Sequence, residues 1–288
     1  MKRIAIIGLG LMGGSLGLAV KRSGAAREVW GYARRRQTRR QAIALKAVDR
    51  VFASPEDAVA GADLVVFCLP VLSIADLVRH CRPGLSPGCI LTDVGSTKAE
   101  LVADVRRALK GEAVTFIGSH PMAGSESTGI GAAREDLYRG ATIIVTPADV
   151  RERASGPARR LTAFWRALGG RVVALTPRDH DRLIARTSHL PHVVAAALVA
   201  NLHRDDTGAV RRLCGAGFMD TTRIAGGSEL MWHDIIKSNR RAVSRELTAF
   251  GREIVSFRRM IDRGDFDGIR RFLARSRDQR QAMEGRRE

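Results

Sequence analysis

Glycines 8, 10 and 13, spaced Gly-x-Gly-x-x-Gly, stand between a short apolar run at residues 4–7 and an alanine- and leucine-rich helical pattern at residues 15–20. That spacing, between a strand and a helix, suits the cradling of a dinucleotide pyrophosphate. Gly8 permits the tight turn, Gly10 has no side chain to hold the backbone off the phosphates, and Gly13 lets the helix lie close on the strand. The first helical turn, with Leu11 and Met12, offers unpaired N–H groups and a partial positive charge. An acid that hydrogen-bonds the adenosine ribose belongs at the end of the second strand, about 20 residues on. There the chain has Ala33, followed by Arg34, Arg35 and Arg36. A guanidinium can grip a 2′-phosphate through two hydrogen bonds and stack on adenine. NADP is therefore favoured, with NAD possible.

Four further segments carry chemistry. In Asp93-Val94-Gly95-Ser96-Thr97-Lys98, Ser96 can hydrogen-bond a substrate hydroxyl or the nicotinamide carboxamide, or cap the helix that follows, and Thr97 with Glu100 forms a capping box. In residues 118–127, His120 leaves the end of a strand among Pro121, Gly124, Ser125 and Glu126. An imidazole titrates near neutrality and can take a hydroxyl proton while hydride departs from the same carbon. His189 and His192, three apart on a helix, have no evident third metal ligand, so substrate contact or helix packing is expected and no metal. In residues 217–225, Arg223 offers a guanidinium fork suited to a carboxylate, with Trp232 nine residues on.

These residues need a scaffold. Strands are predicted at residues 28–32, 62–70, 89–94, 115–118, 141–146 and 171–175, alternating with helices at 39–46, 72–80, 99–109 and 153–168. Such alternation implies an α/β fold with a doubly wound, mostly parallel sheet. Ligands bind such sheets at the carboxyl ends of the strands, so the loops after Leu69 (with Pro70), Val94 and Gly118 are expected to share a crevice with the cofactor. From Pro177 onward only helical patterns recur, at residues 181–203, 240–262 and 266–279. The first is apolar nearly all round, which suits burial within the domain or against a second subunit. A dinucleotide-binding domain over residues 1–176 and an all-helical domain over 177–288 are expected.

Composition narrows the partners. The 288 residues are 45% hydrophobic, enough for real cores. The net charge of +18 raises nucleic acid as a partner. No zinc-finger, helix-turn-helix or RNP signature accompanies it, and aromatic residues are only 5%, so attraction for an anionic substrate and cofactor is the preferred reading. Four cysteines without a CxxC pair read as buried free thiols in a reducing compartment. No targeting segment precedes the first strand, and the longest apolar stretch, residues 193–202, is too short to span a bilayer. A cytoplasmic protein without membrane contact is expected.

In this order, GLGLMGGSLGLA (8–19), DVGSTK (93–98), GSHPMAGSE (118–126), SHLPH (188–192) and DTTRIA (220–225) with Met231-Trp232 resemble the prephenate/arogenate dehydrogenase family of tyrosine biosynthesis. The similarity runs through nearly the whole chain. It implies a Rossmann domain, a helical dimerisation domain, a homodimer and the oxidative decarboxylation of a cyclohexadienol. By this resemblance His120 is the catalytic base for the ring hydroxyl and Ser96 its hydrogen-bonding partner. Arg223 anchors a substrate carboxylate, and Ser125, Glu126, Asp181, His192 and Trp232 line or approach the substrate pocket. Ala33 departs from the acid of NAD-using members, and Met219 leaves the choice of prephenate or arogenate open. With no room for a regulatory domain, inhibition by tyrosine would be competitive. A β-hydroxyacid-type dehydrogenase would use a lysine in the helical domain, where Lys237 stands alone. A non-enzymatic NADP sensor would be indifferent to loss of His120.

Overall fold

The computed structural model describes residues 1–124, 127–202 and 209–284. They form two compact units, Met1–Arg240 and Arg241–Glu288. The first unit opens with alternating strands and helices: β1 (Arg3–Ile7), α1 (Leu11–Ser23), β2 (Glu28–Tyr32), α2 (Arg36–Ala44), β3 (Arg50–Phe52), α3 (Pro55–Val59), β4 (Leu64–Phe67), α4 (Val71–Cys81), β5 (Ile90–Asp93), α5 (Ala99–Ala108) and β6 (Thr115–Phe116). The six strands are parallel in the order β3-β2-β1-β4-β5-β6. The strand order reverses between β1 and β4, the switch point at which doubly wound sheets bind dinucleotides.

Two cores follow from the period of two in the central strands. Ile4, Ile6, Leu64 and Val66 face one core with Leu16, Ala19 and Val20 of α1. Ala5, Ile7, Val65 and Phe67 face the other with Ile74 and Val78 of α4 and Val102 and Val105 of α5. Both faces of β1 and β4 are thus covered, which is why these strands read as continuous apolar runs.

The strand expected at residues 115–118 is divided. β6 closes the parallel sheet, and β7 (Gly118–Pro121) pairs antiparallel with β8 (Thr142–Thr146) in a separate sheet. After α6 (Val150–Arg153) and α7 (Gly156–Ala167), β9 (Arg171–Ala174) joins β8 in parallel. Gly118 sits at the division, where a Cβ would lie 2.6 Å from Thr146 Oγ1 and 2.8 Å from Lys98 Cδ. His120 is therefore within a strand rather than beyond its end. β3, only three residues long, had no pattern to announce it.

The helical part begins with α8 (Pro177–Ile184), capped by Thr176 Oγ1 on the Asp179 N–H. The helix expected at residues 181–203 is interrupted by a π-turn, Ala185–His189, before α9 (Leu190–Leu202). Pro191 has no N–H for the carbonyl four residues back and its ring crowds that carbonyl. The Leu190 N–H instead reaches the Ala185 carbonyl. Then come α10 (Ala209–Arg212), α11 (Ala216–Thr222), a 3-10 turn at Arg223–Gly226, α12 (Glu229–Ser238), α13 (Arg240–Asp262) and α14 (Phe266–Glu284). α8 to α12 fall in the same compact unit as the sheet, because α8 is hydrogen-bonded to the head of α5 and to β7.

Candidate active site

The glycine loop leaves β1 with Gly8 at φ +105°, a conformation an L side chain rarely adopts, and a Cβ there would lie 2.4 Å from the Cys68 carbonyl oxygen. A Cβ on Gly13 would come within 1.9 Å of the Gly8 carbonyl oxygen, whereas one on Gly10 would meet nothing within 4 Å. The loop is closed toward the sheet and open at Gly10. α1 starts beyond Gly10 with no side-chain cap and no acid in its first turn, so the helix end near Leu11 and Met12 offers its N–H groups and positive dipole to an anion. These residues fit a bound pyrophosphate. Leu69 borders the loop, its side chain 2.8 Å from where a Gly8 Cβ would be, and Pro70 is the N-cap residue just before α4. At the end of β2, Ala33 is buried while Arg34 and Arg35 are exposed. Arg39 Nη1 donates to the Ala33 and Arg34 carbonyls, 2.8 Å each, and holds the turn that presents them.

The β5–α5 loop carries Ser96. Beneath it lies a fully buried ion pair, Lys98 Nζ to Asp93 Oδ2 at 2.5 Å. Lys98 also donates to the Gly95 and Thr97 carbonyls, and Asp93 accepts the Gly95 and Ser119 N–H groups. Burial pushes the Asp93 carboxyl up and the Lys98 ammonium down, and their mutual attraction opposes both. The pair ties the Ser96 loop to β7. Ser96 is half-buried, and its hydroxyl has no protein partner among the described residues.

The capping box expected of Thr97 and Glu100 does not form. α5 begins at Ala99 without a cap from its own chain neighbours, and Thr97 Oγ1 lies 2.8 Å from Ser238 Oγ instead. The orphan N–H groups of Lys98 and Ala99 donate to the two carboxylate oxygens of Asp181, 2.8 Å each. A carboxylate is a stronger acceptor than a hydroxyl and complements the helix dipole. Asp181 thus faces protein donors rather than open pocket.

His120 is buried in β7 with Nδ1 2.9 Å from His180 Nε2, and His180 Nδ1 is 2.8 Å from Asp181 Oδ1. Burial, then the neighbouring His180, Lys98 and His189 charges, holds the His120 imidazole well below its ordinary range. His180 is lowered too, burial outweighing the Asp181 carboxylate. Behind them Ser119 Oγ accepts the Trp165 indole N–H at 3.0 Å and lies 2.8 Å from Thr92 Oγ1, a fully buried backing.

The π-turn and α9 bring His189 and His192 to Trp232. His192 stacks on the indole with ring centroids 3.5 Å apart and planes within 11°, while His189 meets it edge-on at 6.0 Å. Asn239 Nδ2 donates to the Asp181 carbonyl at 2.8 Å and lies 3.2 Å from His189 Nδ1. An amide nitrogen only donates, so His189 carries its proton on Nε2. His189 Nε2 and His192 Nδ1 are buried without a partner among the described residues. Arg223 opens the 3-10 turn that packs on α9 and is exposed. Ser125 and Glu126 lie outside the described residues. Sequence reasoning missed His180, Asn239 and the Asp93–Lys98 pair. The one signal for His180 was its place beside Asp181 in the first turns of a helix.

His189 is pushed by burial from 6.5 to about 4. An unfolded chain binds this proton between those values and the folded protein does not, so stability rises with pH across that window. It is complete above about pH 6.5 and lost as pH falls toward 4, by roughly 3 kcal/mol from this group alone. His120, His180 and His192 add in the same direction. Thermal unfolding from pH 8 to 4 is expected to fall steeply below 6.5, and more gently in His189→Gln. A flat wild-type profile overturns this.

The nucleotide-binding domain model of prephenate dehydrogenase matches residues 16–174, and the dimerization domain model of the same enzyme matches residues 176–275. Prephenate dehydrogenase of Bacillus subtilis is 31% identical over 283 residues, covering 97% of this chain and 76% of that protein. Cyclohexadienyl dehydrogenase of Zymomonas mobilis is 32% identical, covering 98% of this chain and 96% of the other. Among solved structures, prephenate dehydrogenase from A. aeolicus in complex with hydroxyphenyl propionate and NAD+ is 30% identical with a TM-score of 0.91 over 98% of both chains. Agreement along both domain models, over a chain with a phosphate cradle and a buried histidine, places it in the prephenate dehydrogenase family.

Proposed function

We propose that this chain catalyses the oxidative decarboxylation of prephenate or arogenate, with hydride transfer to a nicotinamide dinucleotide, in cytoplasmic tyrosine biosynthesis. The observation that carries the reading is the buried His120, backed by His180 and tied through Asp93 and Lys98 to the loop of Ser96. Residues 1–176 serve the dinucleotide and residues 177–288 the substrate and dimer contacts. When bound, the dinucleotide supplies the hydride acceptor. His120, unprotonated near neutral pH, takes the proton of the ring hydroxyl as hydride leaves the same carbon. Ser96 orients that hydroxyl. The ring carboxylate departs as carbon dioxide, driven by aromatisation. Arg223 anchors a carboxylate, His192 and Trp232 form a flat wall, and the unpartnered His189 Nε2–H donates to a polar group of the substrate. Ser125 and Glu126 are proposed, on the resemblance alone, as further substrate-binding residues.

NADP is the preferred cofactor. α2 begins after Arg35 with no side-chain cap and no acid in its first turn, beside Arg34 and Arg36. A positive helix end crowded by guanidinium groups is unfavourable until an anion binds, and a 2′-phosphate is such an anion. Arg34→Gln with Arg35→Gln is expected to weaken NADP binding by about 10- to 100-fold, the worth of one charge-assisted hydrogen bond, and NAD binding by about threefold or less. Equal losses for both dinucleotides would remove the 2′-phosphate from the site.

A homodimer is the preferred state. The helical run Pro177–Leu202 is, by length and composition alone, apolar enough to cross a membrane. Its buried His180, Asp181, His189 and His192 hold it in the protein, and the apolar residues left exposed on α9, such as Leu198, fit a second subunit. Neither a membrane nor a nucleic acid is proposed as a partner.

The test of the activity is a cofactor-reduction assay crossing prephenate and arogenate with NAD and NADP. Turnover with evolution of carbon dioxide supports the reading, and the fastest pairing names substrate and cofactor. A folded protein that binds the dinucleotide and turns over neither substrate sinks it.

A further inference from the structure

Behind His120 stands a row of side chains with a fixed polarity. The Asp181 carboxylate accepts backbone N–H groups of Lys98 and Ala99, and its Oδ1 also lies 2.8 Å from His180 Nδ1. An ionised carboxylate only accepts, so the hydrogen between the two belongs to His180 Nδ1. His180 is fully buried and held neutral by that burial. A neutral ring protonated on Nδ1 has a bare Nε2, and that nitrogen lies 2.9 Å from His120 Nδ1. The hydrogen there belongs to His120. The opposite polarity would set a bare His180 Nδ1 against a carboxylate oxygen at 2.8 Å, lone pair against lone pair.

We propose that His180 is a positioning residue which, held by Asp181, locks His120 as the Nδ1–H tautomer and so reserves Nε2 to take the substrate proton. The inference rests on the reading of His120 as the base. In the reaction one O–H bond breaks on the substrate and one N–H bond forms at His120 Nε2. The imidazolium keeps its Nδ1–H on His180 Nε2, and no proton need cross to His180. Asp181 favours the new charge through the polarised His180 ring, as the buried acid of a Ser-His-Asp triad does for its histidine. The other ionisable groups around His120 are His189 in the π-turn, Lys98 at the head of α5 and its partner Asp93 at the end of β5. Lys98 opposes the imidazolium and Asp93 offsets Lys98. Neither donates to or accepts from the His120 ring among the hydrogen bonds of the described residues, so the tautomer is left to His180.

Two variants test this in the full-length protein. His180→Phe keeps a ring and removes the acceptor, whereas His180→Gln keeps an oxygen that can accept. Two-bond 1H–15N spectra of 15N-histidine-labelled protein are expected to show His120 protonated on Nδ1 in the wild type and on Nε2, or as a mixture, in His180→Phe. The kcat of His180→Phe is expected to fall by at least about 100-fold with KM within about threefold, the signature of a lost transition-state interaction. His180→Gln is expected to return to within about tenfold of wild type. An Nε2–H tautomer in the wild type, or a folded His180→Phe with near-normal kcat, overturns the proposal. His120→Asn separates the two levels: if it is fully active, the base reading itself falls. If it is inactive while His180→Phe is fully active, only the role of His180 falls. Should His180→Phe not fold, the wild-type tautomer and the kcat of His180→Gln decide.

Discussion

Lys98→Met is expected to destabilise the protein by about 3–5 kcal/mol. Lys98 and Asp93 are both fully buried, with their charges 2.5 Å apart. Removing the ammonium leaves a carboxylate without its counter-charge, and two backbone carbonyls, of Gly95 and Thr97, without their donor. The cost is that of an uncompensated buried charge and not the net worth of the pair, which burial itself diminishes. Thermal unfolding should register the change as a drop of roughly 10 °C. Asp93→Asn in the Lys98→Met background removes the stranded charge and is expected to recover part of the loss. A Lys98→Met protein that melts within about 2 °C of wild type would mean that Asp93 is not ionised in the folded state.

His120→Asn is expected to lower kcat by about 100- to 10,000-fold, the span of a lost general base. The asparagine amide can still donate to His180 Nε2, so the buried neighbour keeps a partner and the fold is retained. KM for the cyclohexadienol and binding of the dinucleotide, followed by tryptophan fluorescence, are expected to change little, because neither depends on a proton acceptor at β7. A variant that keeps kcat within about threefold would move the base elsewhere in the site. The pH profile supplies a second check. With His120 held well below its ordinary range by burial, the acid limb of kcat/KM is expected below pH 6.5, and activity rises with pH through it as the imidazole loses its proton.

The sheet was legible because its determinants are local. Gly8, Gly10 and Gly13 sit between an apolar strand and a helix, and strand alternates with helix through residue 116. The second sheet was not legible. Nothing local to residues 115–121 tells β6 from β7. The division shows only in the pairing of β7 with β8, and at its edge Thr146 and Lys98, distant in sequence, leave Gly118 no room for a side chain. The site divides in the same way. His120, Ser96, Arg223 and Trp232 stand out by residue type and motif. The cap on α5 did not, since the nearby Ser96, Thr97 and Glu100 supply every ingredient of a capping box while the acceptor comes from Asp181, 82 residues beyond Ala99. His180 was hidden for the same reason: its meaning lies in its two neighbours, and only one of them adjoins it in sequence. The π-turn was within reach, because Pro191 inside a helical pattern forces some break, but its form was not.

The Asp181 carboxylate touches both sides of the site at once. Through two backbone N–H groups it holds the start of α5, next to the loop of Ser96, and through His180 it holds the ring of His120. Both are thereby referred to one fixed point. A displacement of α8 carries the Ser96 loop and the His120 ring together, so their mutual spacing survives fluctuations that would separate them if each were anchored alone. The same sharing makes the point intolerant: the alignment of two groups rides on one residue, and a change there is felt at both in the same step.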